Sequence, residues 1–410
     1  MGKKYIWSEG SIPTIDVHST KKHDVLKEYL RQYILILGGS PFQKNNLKAT
    51  FIDGFSGGGI YLTPEGKLYD GSPLIFLETT QDASKELSKS KGFEFKLDAH
   101  YIFIDKERQY LRFLMNEMDK RGYKGKFGKK IFFYEGFFEH QIDKIIAHIK
   151  KRKGRARRCV FLLDQYGYSD VPLSAIRKIF RCLPKAEVIL TFYVDYLIDY
   201  LCESNSCQKS LDKTNLSFDI GRIADYKSHK RYRGLIQKEL YRDIFNNSGT
   251  SFLTNFFIKS NDSHKSYWLL HLSTHPKARD EMQRVHWELQ NHFSHEGEPG
   301  LFMLGYDPCA DGFECKQDFL FSSHDRAINH KVLMEDIPRT LPEDGISYND
   351  FFLRHCNTTP STSEMIRVAV RDLYLEDEIR VFTENGKEKR RGKKIKDNDI
   401  IKRQDQRFIF

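Results

Sequence analysis

No stretch of this chain approaches the roughly 20 consecutive apolar residues that span a bilayer, and the opening MGKKYIWSEG lacks the apolar core of a secretory leader. Neither a membrane span nor secretion is expected. N-myristoylation is not expected either, because Ile6 stands where that signal requires serine or threonine. Cysteine is sparse: Cys159, Cys182, Cys202, Cys207, Cys309, Cys315 and Cys356 are scattered, odd in number and without a CxxC spacing. That pattern argues against a zinc knuckle, a redox dithiol or a disulfide framework, and for free thiols in a cytoplasmic protein. Two catalytic signatures are also missing: a GxxxxGK(S/T) phosphate loop and an HExxH helix. His271 and His275 in HLSTH, with His286, Asp280 and Glu281, lack the spacing of a metal helix, so no metal is expected.

What is present is a soluble composition, with 40% hydrophobic, 13% aromatic and 30% charged residues. A length of 410 residues exceeds what one core usually supports. Two units are expected, 1–330 and 331–410. The net charge of +10 favours an acidic partner, nucleic acid first, because cations that neutralise phosphates release condensed counterions. The excess is concentrated in KRKGRARR (Lys151–Arg158) and KEKRRGKKIK (Lys387–Lys396). Lys151, Arg152 and Arg155 in the first run, and Lys389, Arg390, Arg391, Lys393 and Lys394 in the second, are the candidate nucleic-acid contacts. For either run the alternative is a solvated loop.

Apolar periodicity predicts a helix over His23–Leu37, then a buried strand in KATFID running into a glycine-rich turn, then a serine-capped helix over Ser72–Ser90. The grammar repeats: strand DAHYIFIDKE, helix KERQYLRFLMNEMDKRG, strand KIFFYEGFF, helix FEHQIDKIIAHIKKRKG, strand RCVFLLDQYGY, helix PLSAIRKIFRCL and strand AEVILTFYVD. Such alternation makes an α/β domain with a parallel sheet covered on both faces. FLTNFFIKS and SYWLLHLSTH, separated by NDSHK, predict a closing antiparallel hairpin, and a basic, mostly helical insertion lies near 201–247. Near the end, two helices (SYNDFFLRHC and SEMIRVAVRDLYLEDE), then the basic hairpin IRVFTENGKEKRRGKKI with its turn at Asn385–Gly386, and a final strand DQRFIF predict a winged-helix-like module.

The run Asp53-Gly54-Phe55-Ser56-Gly57-Gly58-Gly59 follows the first strand. Glycines there let the backbone turn sharply and approach a ligand. The pattern resembles the first S-adenosylmethionine motif of class I methyltransferases, which makes Asp53, Gly54, Phe55, Ser56, Gly57 and Gly59 candidate cofactor contacts. Asp105 ends the second strand, where a carboxylate can accept both ribose hydroxyls of an adenosine. Gly136 and Phe137 follow the third strand, at the place where methyltransferases commonly contact adenine, and either Phe137 or Phe138 is placed to stack on the base. Asp164-Gln165-Tyr166-Gly167 follows the fourth. It resembles the D/N-P-P-Y/F tetrad of amino-group methyltransferases but has Gln165 and no adjacent prolines. Asp164, Gln165 and Tyr166 are the candidate acceptor-facing residues, with Asp164 orienting an amine and Tyr166 stacking on it.

Taken together, FIDGFSGGGIY, YDGSPLIFLE, HYIFIDKE, VFLLDQYGYSDVP, EVILTFYVD and YWLLHLSTHP, in this order, resemble the three-Cys-motif partner protein family, TcmP. Where that family usually has D-P-Y-G, this chain has Gln165 in place of the proline. The resemblance implies a Rossmann-like class I methyltransferase core, a radical-SAM-like protein with a three-cysteine motif as partner, and a setting in bacterial mobile-element or antiphage modules. The expected function is a SAM-dependent methyltransferase acting on nucleic acid. The alternatives are a non-catalytic nucleic-acid- or partner-binding protein on the same fold, and a nuclease subunit.

Overall fold

The protein is described from a computed structural model, which describes residues 5–8, 10–40, 45–152, 157–201, 205–217, 227–228, 232–259, 266–289, 299–303 and 321–404. It divides into two compact units, Met1–Ala278 and Arg279–Phe410. The boundary therefore lies well before the expected 330/331. The reason is in helix Pro276–Leu289: Arg279 donates to the carbonyls of Ser361 and Thr359, and Trp287 Nε1 donates to Pro360 O, so this stretch is anchored within the second unit.

Unit 1 is built on seven strands, β1 (Asn46–Asp53), β4 (Lys96–Asp105), β5 (Ile131–Glu135), β6 (Cys159–Leu163), β7 (Ala186–Phe192), β8 (Phe252–Lys259) and β9 (Ser266–Ser273). They lie in the order β5-β4-β1-β6-β7-β9-β8. The five strands from β5 to β7 are parallel, β9 runs antiparallel to β7, and β8 and β9 form the closing hairpin. This is the Rossmann-like sheet of the class I methyltransferase fold. The central strands are buried on both faces, β6 along its whole length, as parallel strands covered by helices must be.

Helix α1 (Val17–Gly39) covers one face, burying Leu26, Leu30 and Ile34 at four-residue spacing. It starts before the expected His23. Helix α2 (Ser72–Lys91) is present without its expected serine cap: Gly71 is the N-cap and makes no side-chain cap bond. Between β1 and α2 lies a feature not anticipated, the small hairpin of β2 (Ile60–Leu62) and β3 (Leu68–Asp70). Helices α3 (Arg108–Lys120), α4 (Phe138–Lys151), α5 (Leu173–Cys182) and α6 (Val194–Tyr200) fill the remaining crossovers. Within the inserted stretch the described helices are α7 (Asn205–Thr214) and α8 (Tyr232–Ser248).

Unit 2 begins with the bulk of α9 (Pro276–Leu289) and continues with α10 (Ser323–Thr340), β10 (Ile346–Ser347), α11 (Tyr348–His355), α12 (Ser363–Leu375), β11 (Ile379–Phe382) and β12 (Ile400–Arg403). Its sheet order is β10-β12-β11, antiparallel throughout. Three helices, a short first strand and a hairpin loop between β11 and β12 make a winged helix, with residues 383–399 as the wing. The expected last strand, DQRFIF, lies outside the described residues; the strand that pairs with β11 is Ile400–Arg403.

Candidate active site

The parallel register brings the ends of four neighbouring strands to one edge of the sheet. Asp53 on β1 stands beside Phe103 of β4 and Leu162 of β6, and Asp105 stands beside Glu135 of β5. Ligand sites in open α/β sheets form outside these carboxyl ends. The glycine loop and the β4 acid meet there: the Gly57 amide donates to Asp105 Oδ2 at 2.9 Å, and the Glu107 amide donates to Oδ1 at 2.8 Å. Burial pushes the Asp105 carboxyl above its ordinary range, against the pull of these two amides.

Asp53 is fully buried. Its Oδ1 accepts the Phe55 amide at 3.1 Å, while Oδ2 is buried without a well-formed hydrogen bond, the Ser72 side chain lying nearby. Burial pushes this carboxyl up to about 7, outweighing Ser72 and the Phe55 amide. Gly54 donates to Leu162 O at 2.9 Å, and Ser56 donates through both its amide and its hydroxyl to Ile104 O. The loop is thereby sewn to β6 on one side and β4 on the other. Gly136 donates to Asp105 O at 3.0 Å with φ of 126°, a conformation that favours glycine. Phe137 is 51% exposed with Lys106 Nζ 5.6 Å from its ring centroid, whereas the adjacent Phe138 packs in the core against Phe55 and Phe161.

At the end of β6, Asp164 is held by three contacts. Lys22 Nζ lies 2.6 Å from each carboxylate oxygen, and Thr191 Oγ1 donates to Oδ1 at 2.6 Å. Burial alone would raise its pKa; the Lys22 ammonium and these bonds outweigh it and hold the carboxyl below the usual range. His23, beside Lys22, is buried with Nδ1 unpartnered, and its ring is held down to about 3 by burial and by the Lys22 charge. Lys22, His23, Asp164 and Thr191 line a small cavity closed on its other side by Val25, Leu26, Leu162, Ile189 and Leu269. Neither Lys22 nor His23 was legible as a site residue, since both sit in a polar stretch with no motif.

Gln165 does not face this space. It is 1% exposed, donates to Thr191 O and accepts the amides of Asp170 and Val171 at 3.0 and 2.9 Å. In place of a proline, its amide group organises the loop that follows β6, a structural task rather than contact with an acceptor. Tyr166, by contrast, is 46% exposed.

The segment before α1 also reaches this edge, and no periodicity in the sequence announces it. Trp7 lies on the glycine loop: a Cβ built on Gly57 would come within 2.6 Å of the indole, and one on Gly58 within 2.4 Å. Its Nε1 donates to Ile60 O at 2.6 Å, and its ring meets those of Tyr61 and Tyr110 at 5.3 and 5.0 Å. Tyr5 continues the cluster toward Tyr166, with ring centroids 6.2 Å apart.

The basic residues divide. Arg152, half-buried, donates to Ala49 O, Thr50 Oγ1 and Asp98 O, with Asp98 Oδ2 at 3.2 Å, so it ties β1 to β4 and is removed from the candidate surface. Lys151 is exposed, and Arg155 lies outside the described residues. In the wing, Lys389 is 9% exposed and bound to Asp399 Oδ2 at 2.6 Å, while Tyr374 Oη donates to its carbonyl. It too is a structural cation, not a phosphate contact. Arg390, Lys393 and Lys394 are exposed, and so is Arg391, which pairs with Asp377 at 2.5 Å. Among the described residues no group of three or more His, Cys, Asp or Glu is placed to hold a metal ion, and no helix is long and apolar enough to cross a membrane.

Comparison with known proteins gives one domain match. Residues 305–386 match the family described as GMT-like wHTH domain, which agrees with the winged helix of unit 2. A search of curated proteins finds no match. Among solved structures, the bifunctional kinase-methyltransferase WbdD is similar at 16% identity and a TM-score of 0.31, over 62% of this chain and 39% of that one. The chain thus spans about two fifths of WbdD. Cofactor-bound Rv0187 from MTB is similar at 7% identity and a TM-score of 0.31, over 65% of this chain and 85% of that one. The N-terminal domain of human METTL16, in complex with SAH, is similar at 8% identity and a TM-score of 0.26, over 60% of this chain and 70% of that one. Likenesses this distant carry no conclusion; strand order carries the fold of unit 1, a class I methyltransferase sheet, and the chain joins to it a GMT-like winged helix.

Proposed function

We propose that this protein is a SAM-dependent methyltransferase acting on nucleic acid. The observation that carries the reading is the meeting of the Gly57 amide with the Asp105 carboxylate at the ends of adjacent strands, beside a buried Asp53 oxygen that lacks a well-formed hydrogen bond. An adenosine joined to an amino acid fits that set. Asp105 would hold the ribose hydroxyls, Phe137 would stack on the adenine, and the spare Asp53 oxygen would receive the ammonium group. Glycine backbone from Gly54 to Gly59 would lie along the remainder.

The cofactor, when bound, supplies a methyl group already activated on a sulfonium, so the protein's task is alignment rather than proton transfer. Asp164 offers both carboxylate oxygens to one N–H donor, the contact it now makes with Lys22, and could turn an acceptor amine toward the cofactor. Tyr166, half-exposed beside it, offers a face to a base. The exposed cations of the wing, Arg390, Lys393 and Lys394, support a polyanionic acceptor. The resemblance to three-Cys-motif partner proteins extends the proposal to a radical-SAM-like partner and to a mobile-element or antiphage setting.

Calorimetry with SAM and S-adenosylhomocysteine tests this directly. Wild type binds both, and Asp105→Ala loses the binding; no binding by wild type and Trp7→Ala alike, or equal binding by wild type and Asp105→Ala, overturns the reading.

A second reading is a non-catalytic binding protein on the same fold, and two observations favour it. Gly57 and Gly58 are explained by the indole seated on them, and Asp164 is explained by its ion pair with Lys22. Transfer of a labelled methyl group from SAM to DNA or RNA would rule it out.

A further inference from the structure

We propose that residues 5–8 and 10–16 act as a strap that closes the cofactor cradle in the free protein, and that cofactor and Trp7 compete for the backbone of Gly57 and Gly58. The proposal rests on the methyltransferase reading above and assigns that site a form of regulation.

The strap touches the glycine loop, the helix after Asp105, the β2–β3 hairpin and Tyr166. Trp7, 4% exposed, covers the glycine loop. The Tyr5 carbonyl accepts the Tyr110 hydroxyl at 3.2 Å, on the helix that follows Asp105. The Tyr5 ring stands 5.2 Å from Tyr61 on the β2 hairpin and 6.2 Å from Tyr166 beyond β6. A cofactor lying along the loop needs the surface the indole now covers, because a glycine without a side chain is useful to a ligand only where the backbone can be approached.

The attachment is also of a kind that can open. From Pro13 to Ile15 the strap shares two main-chain hydrogen bonds with the hairpin, Ile15 N–H to Leu62 O at 2.8 Å and Leu62 N–H to Pro13 O at 2.9 Å. Nearer Trp7 the connections are an indole N–H bond, the Tyr110 bond to the Tyr5 carbonyl, contacts of the Tyr5 backbone with the Tyr166 hydroxyl and of the Tyr5 hydroxyl with Ser19, and aromatic edges. The sheet beneath is held by continuous ladders on both sides. Segments with few main-chain bonds open locally at far lower free energy than the core unfolds. Where the competent state is a minor fraction of the molecules, apparent affinity falls by that fraction, and the ring of Trp7 is the group that sets it.

The test uses the full chain and S-adenosylhomocysteine as the probe. Titration calorimetry compares wild type, Trp7→Ala and Trp7→Phe, with Asp105→Ala as control. In parallel, wild type carrying 5-fluorotryptophan is followed by 19F resonance, the Trp7 signal among the three tryptophans being assigned from Trp7→Phe. The proposal expects Trp7→Ala to bind about tenfold or more tightly than wild type, Trp7→Phe to fall between, and the Trp7 signal alone to shift on ligand addition. If wild type and Trp7→Ala bind equally, Asp105→Ala does not bind and the Trp7 signal stays in place, the strap is overturned while the cofactor site stands. If no chain binds, Trp7→Ala included, the cofactor reading falls and takes the strap with it. Should Trp7→Ala fail to fold, the fluorine shift in wild type still decides between the first two outcomes.

Discussion

Replacing Asp53 by asparagine should make the protein more stable at neutral and alkaline pH, against the usual effect of altering a buried residue. Asp53 is fully buried, and burial moves its pKa from 3.8 to about 7. An acid whose folded pKa lies above its unfolded one binds more protons folded than unfolded between the two values. Stability therefore falls as pH rises through that window and is level on either side. At about 1.36 kcal/mol per unit, the window amounts to a ceiling of about 4 kcal/mol. Asp53→Asn keeps an oxygen for the Phe55 amide and carries no charge, so it escapes the fall. Buried His23 has the opposite tendency, its ring held down to about 3, so that its contribution is lost as pH falls; it is common to both chains and cancels in the comparison. The measurement is urea unfolding followed by hydrogen exchange in peptides of β1 and β4, which isolates unit 1. The two chains should match near pH 4, diverge steadily up to about 7 and then run parallel. Profiles parallel throughout would mean that Asp53 ionises normally in the folded chain, and that no spare oxygen is kept there for an ammonium group.

The wing and its interior cation should behave differently. Changing Arg390, Lys393 and Lys394 together to alanine should weaken binding to DNA or RNA and lower the salt slope by about 0.7–0.9 for each phosphate no longer neutralised, read by fluorescence anisotropy across salt concentrations; an unchanged slope would remove the wing from the interface. Lys389→Ala leaves Asp399 buried without its cation and should cost unit 2 about 3–5 kcal/mol in denaturant unfolding. A cost below about 1 kcal/mol would place Lys389 among the solvated charges instead.

The alternation of strands and helices is legible because each central strand is a short apolar run, as in VFLL of β6, bounded by turn residues and followed by helical spacing. The ends of those strands are legible for the same reason, which is why Asp53, Asp105 and Asp164 come out on one edge. Gln165 misleads because its place in a motif points outward while its amide, one bond longer than that of asparagine, reaches back to cap the loop. Arg152 and Lys389 mislead because a run of like charges looks solvated throughout, and their partners Asp98 and Asp399 are brought in by folding rather than by adjacency. Trp7 leaves no trace in pattern, since a lone aromatic has no period. Helix α10, polar on most of its surface, escapes a reading by periodicity, although its capping box, Ser322 with Asp325, is there in the sequence.

The pair Lys389–Asp399 has a further consequence for how the C-terminal unit would meet a polyanion. Together with Tyr374 on the Lys389 carbonyl, and with Arg367 on Ile395 O and Asp397, it fixes the loop from inside. A hairpin tip already set in shape surrenders little freedom on contact. An encounter with phosphates, as proposed above, would then be governed by displaced ions and water rather than by ordering of the chain.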